Sequence, residues 1–140
     1  MIKNLNEYFS NDYEFYLDNI EYVHKKKTHV TSEYVLHCLD RLETKEISDE
    51  QLEVKVTRSL AFDPDDLYNL NVTFVAILSY NMDRKKELKE LSSDLSKDLI
   101  SDGQFFLSNI MSRISLLISD ITASYGQPPI ISPPVIASIK

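Results

Sequence analysis

Three histidines, one cysteine and one cluster of aspartates are the residues of this 140-residue sequence best suited to chemistry. His24 and His29 flank a short lysine run, Lys25, Lys26 and Lys27, with no thiol or carboxylate beside them. That is a poor metal site, and the lysines read as solvated. His37 and Cys38 are adjacent, so in a strand they point to opposite faces and cannot form a thiolate–imidazole dyad with each other. Asp63, Asp65 and Asp66 surround Pro64. Such a trio is able to hold a cation weakly or to supply carboxylate chemistry, but a solvated turn is the plainer expectation. Only two glycines occur, Gly103 and Gly126, so no glycine-rich phosphate loop is present. A single cysteine excludes an internal disulfide and a cysteine-rich metal cluster. The expectation is no catalytic residue, no metal and no cofactor.

Composition narrows the partners. The formal net charge is −7, so no broad basic surface invites nucleic acid or anionic lipid. Hydrophobic residues make up 43% and charged residues 26%, a globular balance. The length suits one domain over residues 1–140. The start has no apolar core or cleavage site of a secretory signal. The longest apolar-rich stretch, residues 105–121, is interrupted by Asn109, Arg113 and Asp120, which excludes a membrane span there. A cytoplasmic protein is expected.

The elements that must position a site fall in the order strands, then helices. Residues 15–23 are aromatic and β-branched and predict a strand. Residues 34–42 fit a strand or a short helix, and the neighbouring strands favour strand. Residues 43–51 are charged and turn-like. Leu52, Val54 and Val56 alternate with Glu53, Lys55 and Thr57, the period of a half-buried antiparallel strand over 52–60. Pro64 predicts a loop over 61–69, and 71–80 predicts a more buried strand. Leu88, Leu91, Leu95 and Leu99 predict one amphipathic helix over 84–100. A second helix over 104–124 follows the Asp102–Gly103 break, with Gly126 just past its end. Prolines 128, 129, 133 and 134 exclude regular structure from the tail.

The second helix is the most informative element. At 3.6 residues per turn, Phe106, Leu107, Ile110, Met111, Ile114, Leu117, Ile118 and Ile121 fill an apolar arc of roughly 140°. Beside it runs a stripe of small residues, Ser108, Ser112, Ser115, Ser119 and Ala123. Such a stripe suits close approach of another helix, as at an oligomer interface; the alternative is that the serines face water. Eight tyrosines and six phenylalanines, with no tryptophan, fit either an adaptable binding surface or ordinary sheet faces.

Four strands, a bent helical segment and the stretch ISLLISDITASYGQPPIISPPVI, residues 114–136, resemble the SecB family of export chaperones and its SecB-like relatives. The stretch LEVKVTRSLAFDPDDLYNLNVTFVAILSY, residues 52–80, is similar to the paired central strands of that family. The resemblance implies an α+β fold: a four-stranded antiparallel sheet, a short helical segment, a long helix and a proline-rich apolar tail. It implies a cofactor-free, non-enzymatic holdase that binds unfolded chains in apolar grooves and assembles as a dimer or tetramer. The post-helix segment, Tyr125, Gln127, Pro128, Pro129, Ile130 and Ile131, would form a groove wall, with Phe62 and Leu67 near the loop between the central strands. The implied partners are an unfolded preprotein or an antitoxin-like client, with the translocase motor SecA as a further candidate. SecB proteins continue past the proline motif into another helix, whereas only ASIK follows Ile136 here. That departure points to a specialised relative, such as a chaperone that protects an antitoxin. A non-chaperone adaptor oligomer remains the contrasting expectation; a tail collapsed over the sheet would fit it.

Overall fold

The computed structural model describes residues 2–28, 30, 33–124, 128–137 and 139. Its frame is a four-stranded antiparallel sheet: β1 (Phe9–His24), β2 (Val35–Glu46), β3 (Gln51–Asp63) and β4 (Tyr68–Tyr80). The spatial order is β1-β4-β3-β2, so β1 and β2 are the two edges. All four predicted strands are present, and each is longer than its sequence pattern. Residues 61–63 and 68–69, expected in a loop, belong to β3 and β4. Val35, Leu36 and His37 pair with Asp63, Phe62 and Ala61, and Val23 and His24 pair with Asn69 and Tyr68. The ladders therefore run up to Pro64, and the loop shrinks to residues 64–67. Likewise Glu43–Glu46 of the expected turn continue β2, leaving residues 47–50 as the hairpin.

Cross-strand partners share a face. Leu42↔Val56, Asp40↔Arg58 and Cys38↔Leu60 define one side of β2 and β3. Val56↔Phe74, Arg58↔Val72 and Leu60↔Leu70 extend it to β4. Phe15↔Ala76, Leu17↔Phe74, Ile20↔Val72 and Tyr22↔Leu70 complete it on β1. This face meets the helices. Val54, Val56, Leu70, Val72, Ala76 and Leu78 are all buried there. β1 changes phase between Leu17 and Asn19, a bulge that brings Ile20 rather than Asn19 onto the helix side.

The single helix predicted over 84–100 is instead two, α1 (Lys85–Leu91) and α2 (Leu95–Asp102). The cause is the Ser92-Ser93-Asp94 run, whose side chains compete for backbone partners. Asp94 caps the start of α2 by accepting from the Lys97 N–H at 3.3 Å. Ser92 Oγ bonds Asp98 Oδ2 across the break. In consequence Leu88 and Leu99 are buried, while Leu91 is 58% exposed. Gly103 joins α2 to α3 (Gln104–Ala123). A Cβ there would meet the Leu99 carbonyl oxygen at 2.2 Å, so only glycine fits this junction.

α3 packs its predicted arc onto the sheet: Phe106, Leu107, Ile110, Met111, Ile114 and Ile118 are buried, and Leu117 and Ile121 half-buried. Asn109 donates to the Tyr13 hydroxyl at 3.2 Å, and the Arg113 guanidinium lies 5.0 Å from the Phe15 ring centre. α3 therefore starts over the beginning of β1. An unpredicted 3-10 turn, Leu5–Tyr8, buries Leu5 and Tyr8 at the same end, and Asp102 accepts its Leu5 N–H at 3.0 Å.

Candidate functional site

After α3 the chain returns as an irregular strap, residues 128–137 and 139, with a bend at Pro134 and Val135. Four prolines keep it out of helix and ladder. What holds it is a buried ion pair. Arg58 and Asp40 sit at the apolar phase of their strands, between Val56 and Leu60 on β3 and between Cys38 and Leu42 on β2, and both side chains are fully buried. The pair is bidentate: Arg58 Nε donates to Asp40 Oδ1 at 2.8 Å and Nη2 to Oδ2 at 2.9 Å. The remaining guanidinium donors reach the strap. Nη1 donates to Ser132 Oγ at 3.1 Å and to the Pro133 carbonyl, and Nη2 to the Val135 carbonyl at 2.7 Å. Asp40 Oδ2 accepts the Ala137 N–H at 2.7 Å. All five guanidinium donors are thus used, the condition under which a buried pair is tolerated. Burial works against the Arg58 cation, the hydrogen bonds and charge of Asp40 together outweigh it, and the net shift of its pKa is upward.

Two contacts from α3 complete the seating. Ser115 Oγ donates to the Ser132 carbonyl. Thr122 Oγ1 donates to the Ile118 carbonyl and accepts the Ile130 N–H, both at 2.8 Å. The strap ends at Ile139, in a parallel bridge to Asp40. Because β3 occupies the other side of β2, that bridge lies on the outer edge of β2.

Past Phe15, which lies under Arg113 of α3, the β1 side of the same face is left open by the described residues. Leu17 is 44% exposed, Ile20 39% and Tyr22 40%, beside buried Phe74, Val72 and Leu70. Across the end of the sheet, a chain of rings links β1 to the start of β2. Tyr22 and Tyr68 have centroids 5.4 Å apart, Tyr68 and Phe62 5.0 Å, and Phe62 and Tyr34 6.4 Å. Leu36, paired with Phe62, is 40% exposed. The floor is an apolar surface that runs along the second half of β1 and across the sheet end. Asp12, Glu14, Asp18 and Glu21 are exposed on β1, which carries no lysine or arginine. Among the described residues, β4 is the one strand paired with β1.

Of the residues predicted as a groove, Phe62 and Leu67 are half-buried against the core at the sheet end, and Phe62 joins the ring chain. Ile130 is half-buried, Pro128 and Pro129 are exposed, and Ile131 is 78% exposed at the start of the strap. Tyr125 and Gln127, like Gly126 and His29, lie outside the described residues. Within the serine stripe, Ser108, Ser112 and Ala123 are exposed and Ser119 is half-buried. Ser115 differs, since its hydroxyl is committed to the chain's own strap.

The candidate chemistry disperses. Asp65 pairs with Lys25 at 3.1 Å, Asp66 is buried and accepts the Thr28 N–H at 3.0 Å, and Asp63 is exposed. His37 and Cys38 face opposite sides, His37 exposed and Cys38 half-buried. Among the described residues, no three His, Cys, Asp or Glu side chains come together as a metal site. No helix among them is long and apolar enough to cross a membrane.

Sequence reasoning missed Leu17, Ile20 and Leu36, and the Asp40–Arg58 pair. Signals for both existed. The apolar phase breaks from 15 and 17 to 20 and 22, which marks the bulge. Asp40 and Arg58 are opposite charges in otherwise apolar positions of two successive strands.

No protein-family model matches this sequence, and no curated protein sequence is significantly similar to it. Its structure is similar to the SecB-like chaperone of Mycobacterium tuberculosis, solved in complex with a ChAD peptide from the HigA1 antitoxin. The TM-score is 0.56 at 15% identity, over 86% of each chain. The chain therefore has the SecB-like chaperone fold, a four-stranded antiparallel sheet followed by three helices of which the last is longest.

Proposed function

We propose that this protein is an ATP-independent holdase of one SecB-like domain. It captures an extended segment of an unfolded or disordered polypeptide on the open, β1 half of its helix-facing sheet surface. One observation carries the reading: Leu17, Ile20, Tyr22 and Leu36 stay exposed on the face that elsewhere forms the core. A client lying there gains apolar contacts from this floor and backbone hydrogen bonds from the β1 edge. Apolar burial supplies about 25 cal/mol per Å² before ordering costs. The carboxylates of β1 favour a client with flanking lysine or arginine. The structural neighbour's antitoxin peptide supports a dedicated, antitoxin-like client over a general preprotein. Coupling to SecA is the weaker alternative. The exposed part of the α3 stripe, Ser108 and Ser112, together with Leu116 at 65% exposure, is the proposed surface for a second copy in a cytoplasmic dimer or tetramer.

The adaptor reading draws support from the strap, which does lie collapsed over part of the sheet. It leaves the open β1 half unexplained. The test is light scattering of an aggregation-prone unfolded substrate mixed with the protein. Suppression by wild type, reduced about tenfold by Ile20→Asp at unchanged melting temperature, is expected, since a charge on the floor opposes burial of apolar client surface. Suppression by neither protein leaves a dedicated client or none; equal suppression by both removes the β1 floor from the mechanism.

A further inference from the structure

We propose that the β2 half of the same face is a second polypeptide-binding site, built around Asp40 and Arg58 and filled in cis by the strap. The holdase reading needs only the β1 half, so this site stands independently of it.

The strap is held as a ligand is held. Two of the three strap acceptors of Arg58 are main-chain carbonyls, at Pro133 and Val135, and the strap donor to Asp40 is the main-chain N–H of Ala137. The chain bends at Pro134 and Val135, and around that bend it offers Arg58 and Asp40 main-chain groups that any polypeptide carries. The side chains contribute less: Ile131 is 78% and Val135 52% exposed, while the two residues anchored against the core are Ile130 and Ile136. One isolated parallel bridge joins Ile139 to Asp40 on the outer edge of β2. Pro133 and Pro134 lack N–H groups, so this occupant is a poor ladder partner.

The site therefore has a stated preference. It takes a largely apolar segment that bends after the first clamped carbonyl and carries a small hydroxyl residue one position before it. Asp40 and Arg58, both fully buried, form the polar centre. Leu60 and Cys38 on one side and Val56 and Leu42 on the other form its apolar surround.

The probe is a fluorescent peptide carrying the sequence of residues 128–140, added to the full chain. In wild type the tethered strap has an effective concentration on the order of millimolar and outcompetes it. Ala137→Pro removes the N–H that Asp40 accepts, and Thr122→Val removes the acceptor of the Ile130 N–H; both leave Asp40 and Arg58 in place. The doubly substituted chain is expected to show faster hydrogen exchange across the strap and to bind the peptide at least about tenfold more tightly than wild type by anisotropy. Adding Asp40→Asn should abolish that gain, and Ile20→Asp should leave it untouched. Ser132→Ala removes one acceptor of Arg58 and should give a smaller gain of the same sign, even if the double variant does not fold. A strap that exchanges faster without admitting the peptide overturns the proposal, as does a strap whose exchange is unchanged.

Discussion

The two edges of one sheet meet the helical layer in opposite ways. Along the middle of β2 the surface is covered: a strap crosses it, a fully buried ion pair holds the strap by its backbone, and one bridge meets the edge, while Leu36 near the strand's start stays exposed. On the β1 side the same face ends in half-exposed Leu17, Ile20 and Tyr22, and the edge carries acidic residues and no described partner. Both halves are apolar by sequence. The difference is whether the chain supplies a segment of its own to cover them. The closed half shows how this surface holds a segment of its own chain, and the open half is where we propose that a client lies.

The largest test of that contrast concerns the ion pair. Arg58→Met leaves Asp40 buried without its partner, which costs about 3–5 kcal/mol. The measurement is urea unfolding, with midpoint and slope compared. Asp40→Leu combined with Arg58→Met removes both charges and should recover most of the loss, because a well-packed apolar pair is often neutral relative to a buried ion pair. On the open half, Leu17→Ser should change stability by less than about 1 kcal/mol, since its side chain is already partly solvated. Equal losses on the two sides would erase the distinction between a structural half and a binding half.

Part of this contrast was legible in the sequence. The Leu52–Val54–Val56 alternation located β3, and the arc from Phe106 to Ile121 located the core face of α3, because periodicity is a local property. The helix break at Ser92–Asp94 was visible in residue type, but the leucine spacing ran across it and masked it. The strand ends around Pro64 depended on partners from β1 and β2, which no local pattern carries. The site divides likewise. The family resemblance named Phe62, Ile130 and Ile131 as groove residues, but which half of the sheet is open depends on the strap's path. That path is set by two charges 18 positions apart that meet only once β2 and β3 pair.

A middle-sized effect reports on the sealed half without any added label. Cys38, the one cysteine, lies on β2 two residues before Asp40 and faces the same side. Burial pushes its thiol pKa up, Arg58 lowers it and Asp40 raises it, with the net shift upward. The thiolate is the reactive form, so alkylation at neutral pH should run several-fold slower than for a free thiol. Loosening the strap through Ala137→Pro should speed it, because hydration of the site relieves the largest cause of the shift. An unchanged rate in a strap-loosened chain would place the seal on α3 rather than on the strap.

The smallest expected effect lies at the far end of β2, where the helical layer is tied down by surface charges instead of a buried pair. Glu46 meets Lys85 at 3.0 Å and Lys89 at 3.1 Å, both from α1. Hydrogen bonds from Lys85 and then Lys89 hold its pKa below the usual glutamate value. A lowered folded-state pKa contributes stability that is present above the unfolded value and is lost as pH falls through the folded one. Glu46→Gln should therefore lower the melting temperature slightly at neutral pH, and the difference from wild type should vanish in acid. It should also shrink at high salt, because Glu46 and Lys89 are exposed and screened. The Arg58 variants should keep most of their deficit under the same salt, since their pair is shielded from solvent. A Glu46 effect that persists in acid and in salt would mean that packing, not charge, holds α1 to β2, and the two ends of this strand would then be fastened by the same kind of force.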